Sequence, residues 1–262
     1  MKPLITIIIA VLNKSTTLER SIKSIINQTY PRKEIVIIDG GSKDGSISIT
    51  NRYLDNISYF ESARDRGISH AWNKGIQNSH GEWICFLGAD DFFWSENVLT
   101  DIAPYLINAN TKGINIVYGK IAKIDENLNI IKYIGKPWEK IRWQVKHGMA
   151  LPHPGLMHHR SLFSKYGLYD EAYKIVGDYE FLLRELKYRD AFFVNNLIVA
   201  AHQAGGQSDI SNVLTNYEIL KARKKHKLPY FSWVWTLVYL RALSRLILTT
   251  IKKYISPKLN SK

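Results

Sequence analysis

A mostly parallel α/β sheet with helices on both faces is the fold the sequence predicts, and three observations predict it. Residues 4–11, 34–39 and 82–87 are short, nearly continuous apolar runs rich in β-branched side chains, as expected of strands covered on both faces. Stretches of helical period lie between them, with Leu18, Ile22, Ile25 and Ile26 spaced along one face of the first and residues 69–78 forming another. Each apolar run ends in polar, turn-forming residues, the end of an open parallel sheet where ligands bind.

In chain order, residues 4–11 are the first strand. Thr6 interrupts the run, and Asn13-Lys14-Ser15 follows where a signal peptide would carry small cleavage-site residues. Thr16 and Glu19 make a capping-box pattern ahead of the first helix. Pro31 ends that helix, and the second strand, 34–39, runs into Gly40-Gly41-Ser42-Lys43-Asp44-Gly45. Two strands joined through a helix imply a right-handed parallel crossover. A third strand is expected near 57–61, a helix over 69–78, and a fourth strand over 82–87 that leads directly into Gly88-Ala89-Asp90-Asp91. Beyond residue 100 the pattern changes. A strand at 114–118 precedes a hairpin of 120–125 and 130–134, and a helix is expected over 138–147. Short helices over 160–166 and 178–188, a strand over 192–200 and an increasingly basic helix over 212–226 complete the reading.

With 262 residues and 45% hydrophobic content, the chain has apolar material for one large core, or for one core and a small C-terminal subdomain. Its single cysteine, Cys85, sits inside an apolar run and reads as a buried thiol. A disulfide framework within the chain is excluded, which fits a reducing compartment. The net charge of +13 is unevenly spread: residues 221–262 hold eleven Lys or Arg and no acid, while the first 220 carry 25 basic against 23 acidic side chains. A nucleic-acid enzyme spreads basic charge over its groove, whereas this excess shares a terminal segment with Trp233, Trp235 and Tyr239. The pairing points away from nucleic acid and towards an anionic membrane surface, contacted by residues 221–262. Residues 228–240 are thirteen uncharged positions broken by Arg241 and Arg245, too few for a bilayer span of about 20. Packing on the rest of the chain, or in a dimer, is the alternative for this segment.

The polar residues just past the strand ends are Asn13, Asp39 and the pair Asp90-Asp91. Residues 11–16 contain neither G-x-G-x-x-G nor a P-loop lysine pattern, so phosphates are handled some other way. Adjacent carboxylates supply hard oxygens suited to Mg2+ or Mn2+ that already bridges a diphosphate; the alternative is that one of the pair caps a helix starting near Phe92. Asp39 before Gly-Gly-Ser also suits an ordinary turn in which Asp bonds its own backbone. His158, His159 and His202 lack metal-ligand spacing and read as structural, and Trp72, Trp94 and Trp138 read as packing.

Residues 5–13, Ile-Thr-Ile-Ile-Ile-Ala-Val-Leu-Asn, followed by 36–46, Val-Ile-Ile-Asp-Gly-Gly-Ser-Lys-Asp-Gly-Ser, resemble the opening of family 2 glycosyltransferases. Residues 65–76, Asp-Arg-Gly-Ile-Ser-His-Ala-Trp-Asn-Lys-Gly-Ile, are similar to that family's donor-site segment, and Phe86-Leu87-Gly88-Ala89-Asp90-Asp91 to its metal-binding D-x-D region. Pro152-His153-Pro154-Gly155 and residues 177–184 resemble its acceptor-side motifs, so the resemblance covers residues 4–210. It implies the GT-A fold, with a catalytic domain over 1–210 split into a nucleotide-sugar half (1–100) and an acceptor half (101–210), ahead of a basic amphipathic helical extension over 211–262.

The activity implied is inverting transfer of a hexose from a nucleoside-diphosphate sugar, UDP-linked by preference, to a lipid-linked saccharide in surface polysaccharide assembly. The implied cofactor is Mn2+ or Mg2+, and the implied location is the cytoplasmic face of the cell membrane. Carried over by position, the resemblance sets Asp39 against the nucleobase, Asn13 and Asp65 around the nucleoside, Asn73 near the donor, and Asp90 and Asp91 on metal and diphosphate. It selects Asp178 as the base that takes the acceptor hydroxyl's proton, with Glu180 second; a helix N-cap is the other role open to Asp178. His153, between two prolines, is either a ligand of phosphate or acceptor or a structural histidine. Two positions depart from the pattern: Gly88 stands for the first acid of D-x-D, and Gly177 stands where an acid often precedes the base. A retaining transferase and a membrane-tethered binding module without catalysis are the competing readings.

Overall fold

The computed structural model of the chain describes residues 2–205, 213–229 and Leu240. The strands of these residues are β1 (Ile5–Val11), β2 (Lys33–Asp39), β3 (Tyr59–Ser62), β4 (Trp83–Gly88), β5 (Phe92–Phe93), β6 (Ile116–Ile124), β7 (Ile130–Ile134), β8 (Leu156–His159) and β9 (Phe192–Gln203). They form one sheet in the order β3-β2-β1-β4-β8-β6-β9-β5, with β7 paired to β6. The four strands of the first half are all parallel. β8 then runs antiparallel to both β4 and β6, while β9 returns parallel to β6. The helices are α1 (Leu18–Ile26), α2 (Ser46–Asn51), α3 (Ile68–Gln77), α4 (Val98–Thr111), α5 (Trp138–Ile141), α6 (Ser161–Tyr166), α7 (Gly177–Leu186) and α8 (Val213–Lys225).

The continuous apolar runs are explained by the two-residue period of a strand between two helical layers. Ile5, Ile7 and Ile9 of β1, with Trp83, Cys85 and Leu87 of β4, pack against Leu18, Ile22 and Ile25 of α1 and against α4. Ile8, Val36, Ile84 and Phe86 point the other way, into a second core with α3, α6 and α7. Cys85 is fully buried, as expected, and burial pushes its thiol up to about 12. Thr6, the polar break in β1, is buried as well; its hydroxyl donates to Glu34 (2.5 Å) and accepts from the Gly81 N–H (2.9 Å).

Several local expectations change. The first helix begins after Thr17 with no side-chain cap: the Thr17 hydroxyl bonds the Ala89 carbonyl (2.9 Å) and Glu19 accepts from Tyr53 (2.6 Å), so Thr16 and Glu19 form no capping box. The two strands expected at 114–118 and 120–125 are one long strand, β6 (Ile116–Ile124), with a register shift at its middle against β9. The helix expected over 138–147 is a single turn, α5, followed by a separate 3-10 turn. No helix starts at Phe92, which opens the short strand β5. Trp233, Trp235 and Tyr239 lie outside the described residues, and among the described residues no helix is long and apolar enough to cross a membrane.

Candidate active site

β1, β2 and β4 end at one level, with Val11 opposite Asp39 and Ala10 opposite Gly88, so the polar residues after them share one edge of the sheet. Asn13 adopts a left-handed conformation (φ 52°), which Asn tolerates better than most residues. Its backbone N–H donates to the Ser42 hydroxyl (2.8 Å), and its side-chain oxygen accepts from the Lys43 N–H (2.9 Å), tying the end of β1 to the turn after β2. Asp39 is buried. Its Oδ2 accepts from the N–H groups of Gly41 and Ser42 (2.9 Å each) and from the Ser62 hydroxyl (2.7 Å). The turn reading of Asp39 is therefore realised with one oxygen, while Oδ1 is buried without a hydrogen-bond partner. Asp65 comes in from the third side: its Oδ1 accepts from the Gly67 N–H (2.9 Å), and its Oδ2 would lie 2.6 Å from a Cβ on Gly40.

The acid pair is held by its neighbours' side chains. α1 and the residue before it bond the loop that carries it: Ser21 donates to the Gly88 carbonyl (3.2 Å), Thr17 to that of Ala89, and Arg20 to that of Asp90 (3.1 Å). Asp90 Oδ2 pairs with Lys14 (2.7 Å). Asp91, buried, accepts at Oδ1 from the ring of His202 (2.9 Å) and from the Gln203 N–H (3.2 Å). The other oxygens of the pair converge: a Cβ on Gly88 would lie 2.6 Å from Asp91 Oδ2 and 3.0 Å from Asp90 Oδ1. Gly88 is thus the residue that lets both carboxylates fold back over the end of β4. Among the described residues no group of three or more His, Cys, Asp or Glu is arranged to hold a metal. Two converging carboxylate oxygens nevertheless fit an ion that draws its remaining ligands from diphosphate and water.

His153, Phe86, Trp72 and Tyr169 form an aromatic wall. His153 lies over Phe86 and beside Trp72, with centroids 5.6 and 4.8 Å apart, and Trp72 in turn meets Tyr169 at 5.1 Å. Burial pushes His153 down to about 3, helped by the nearby His202, so the ring is neutral at physiological pH; its Nε2 is enclosed with no hydrogen-bond partner. Asp178 stands at the second position of α7, not at its N-cap, which is Val176, and its Oδ1 accepts from the Tyr179 N–H (2.7 Å). Its apolar surroundings raise its carboxyl to about 6, against the pull of that bond. Asp178 is close enough to Tyr169 to push the phenol's pKa further up, on top of burial. Gly177 has a steric reason, since a Cβ there would lie 2.6 Å from the Ser69 hydroxyl where α3 and α7 begin side by side.

Three residues read from the sequence are fixed by contacts across the fold. Asn73 turns its amide to the backbone of Tyr169, donating to its carbonyl (3.0 Å) and accepting from its N–H (2.9 Å), so it joins α3 to the segment that leads into α7. Glu180, the second choice for the base, is fully buried. Burial alone would raise its pKa, but hydrogen bonds from His226 (2.8 Å) and Arg184 (2.5 Å) bring it down to about 2. His202, read as structural, bonds Asp91 from the end of β9, a contact that no local spacing announces.

Residues 6–167 match the family model described as glycosyl transferase family 2. The chain belongs to this family. It is 27% identical over 224 residues to a PGL/p-HBAD biosynthesis glycosyltransferase of Mycobacterium bovis, covering 84% of this chain and 83% of that one. An uncharacterized glycosyltransferase of Rickettsia typhi is 30% identical over 232 residues, which cover 83% of this chain and 70% of the relative. Among solved structures, S. aureus TarS 1–349 in complex with UDP-GlcNAc superposes with a TM-score of 0.67 at 14% identity, covering 85% of this chain and 66% of TarS 1–349. The mannosyltransferase PcManGT from Pyrobaculum calidifontis, solved with GDP-Man and Mn2+, gives 0.64 at 16%, covering 86% of this chain and 64% of the neighbour. The chain spans slightly less than two thirds of either neighbour. These likenesses show the fold to be of the GT-A type, and the chain is a glycosyltransferase.

Proposed function

We propose that this glycosyltransferase moves a hexose from a UDP-sugar to a hydroxyl of a lipid-linked saccharide, with inversion and with a divalent metal, in surface polysaccharide assembly. The observation that carries the reading is Asp178, a carboxyl raised to about 6 by its apolar surroundings and standing beside the aromatic wall. A base of that pKa is ionised at neutral pH yet basic enough to take the proton of an attacking hydroxyl. Attack assisted by one base, on the face opposite the leaving diphosphate, inverts the anomeric carbon. At the donor end, the unpartnered Oδ1 of Asp39 suits an imide or amide N–H of a nucleobase, with Asn13 and Asp65 beside it. Mn2+ or Mg2+ held by Asp90 and Asp91 would supply positive charge against the departing diphosphate. His153, being neutral, offers a hydrogen bond without a charge, which suits an acceptor hydroxyl better than phosphate. The neighbours solved with UDP-GlcNAc and with GDP-Man and Mn2+ support a nucleoside-diphosphate sugar and a metal.

Incubation with UDP-hexoses, Mn2+ and a lipid-linked acceptor, followed by NMR of the product, is expected to give a β-glycoside from an α-linked donor. An α-product rules out the single-displacement reading.

The same proposal has the chain working at the cytoplasmic face of the membrane through its basic C-terminal segment. Of that segment Arg223 is buried, while Lys221, Lys224, Lys225 and Lys227 are exposed, Lys225 pairing with Asp170 (2.8 Å) and Glu180 (3.0 Å). In vesicle sedimentation at low salt the full chain is expected to prefer anionic over neutral lipid, and truncation after Pro229 to abolish the preference. Equal sedimentation on both lipids assigns the tail to protein contacts instead.

A further inference from the structure

The segment 169–176 leads into α7 and is fastened from two sides. On the donor side Asn73 holds the Tyr169 backbone, Arg66 pairs with Glu171 (2.8 Å), and Lys174 Nζ reaches the Arg66 carbonyl (3.1 Å). On the opposite side stands α8. The carboxylate of Glu218, buried in that helix, accepts from three consecutive backbone N–H groups: Lys174 (2.8 Å) at Oε1, and Ile175 (2.9 Å) and Val176 (3.1 Å) at Oε2. Val176 is the N-cap of α7, and Asp178 follows two residues later.

Successive N–H groups converging on one anion form a nest, and charge-assisted bonds of this kind are about twice as strong as neutral ones. Here the anion is a side chain from a distant part of the sequence. It fixes the direction in which the chain enters α7, and so the place of the carboxyl at that helix's second position. Without it, three N–H groups turn to water and the entry to α7 loses its only charged acceptor among the hydrogen bonds described for those groups.

We propose that Glu218 is a positioning residue for Asp178, so that α8, the start of the basic C-terminal segment, completes the acceptor half of the catalytic domain. The proposal rests on Asp178 being the base. The donor-side residues are held by β1, β2, α1 and the end of β9, so the expected signature is a loss confined to turnover. A displacement of about 1 Å at a reacting group costs on the order of a hundredfold in rate.

The test compares Glu218→Gln, Glu218→Ala and Asp178→Asn, singly and with each Glu218 variant combined with Asp178→Asn, in the full chain. Calorimetry gives the affinity for UDP with Mn2+, initial rates give kcat, and hydrogen exchange reads the amides of residues 174–176. Glu218→Ala is expected to lower kcat about tenfold to a hundredfold, leave UDP affinity unchanged and speed exchange at the three amides. Glu218→Gln, which keeps one oxygen acceptor, is expected to fall between it and the parent. In the Asp178→Asn background either change is expected to cost little more, because the two residues act through one position.

Unchanged kcat alongside faster exchange in Glu218→Ala overturns the proposal, as does an equal factor in both backgrounds. A parallel fall of UDP affinity and kcat in Glu218→Gln also overturns it. Failure of the base assignment is a separate result, read from Asp178→Asn alone as near-normal transfer.

Discussion

Asp178→Asn is expected to bind the donor as the parent enzyme does and to transfer about a hundredfold more slowly or worse, the range that loss of a general base gives. The substitution is nearly isosteric, and the side-chain oxygen that accepts from the Tyr179 N–H is retained, so α7 should begin as before. What is expected to be lost is the proton acceptor. The same residue is expected to set the pH profile. Its raised pKa of about 6 means that the protonated, inactive form predominates below that value, so kcat should climb as pH rises through about 6 and level off above it. Stopped transfer assays across pH 4.5 to 8 check this, about one and a half to two pH units either side of the carboxyl. In Asp178→Asn the residual rate should lack the step. A wild-type profile flat across the range, or near-normal turnover in the variant, removes Asp178 from the role. Glu180 is then a poor successor, because its low pKa and its pairing with Arg184 and His226 leave it neither basic nor reachable.

The first half of the fold was legible because its strands are covered on both faces. Continuous Ile and Val in residues 5–11 and 34–39 have no other economical reading, and the structure returns those strands within a residue or two. The second half was less legible. β8 carries His158 and His159, so its four residues lack the apolar signature, although His158 is fully buried among Phe86, Phe163 and Phe181. α4 contains Pro104, which by the usual rule argues against a helix; here the proline sits on the exposed face.

The site divides in the same way. Asp39, Asp90 and Asp91 were visible because strand ends announce themselves locally. His202 and Glu218 were not, since one acts across 111 residues on Asp91 and the other across 42 to 44 on residues 174–176. Nothing in a local pattern separates Glu218 from any solvated acid in a basic helix. The family resemblance sets Asn73 near the donor, and the contact of both ends of its amide with the Tyr169 backbone is likewise not announced by local sequence.

Asp90→Asn and Asp91→Asn are each expected to abolish the Mn2+-dependent part of nucleotide affinity while leaving the metal-free part in place. Changes beyond the ligands themselves already cost about 10- to 100-fold in metal affinity, so loss of an anionic ligand should be at least that large. The two variants differ in what else they touch. Asn at 91 keeps an oxygen for the His202 ring and the Gln203 N–H, which hold the end of β9 against the loop, and removes the charge on the oxygen that converges near Gly88. Asn at 90 releases Lys14. That pair is partly exposed and worth about 0–1 kcal/mol, so its loss should leave the fold intact. Calorimetric titration of UDP with and without Mn2+, on the parent and both variants, separates the contributions. If Mn2+ strengthens UDP binding in both variants as much as in the parent, the acid pair does not hold the metal. The contacts of Asp90 and Asp91 with Lys14, His202 and Gln203 are then their whole role.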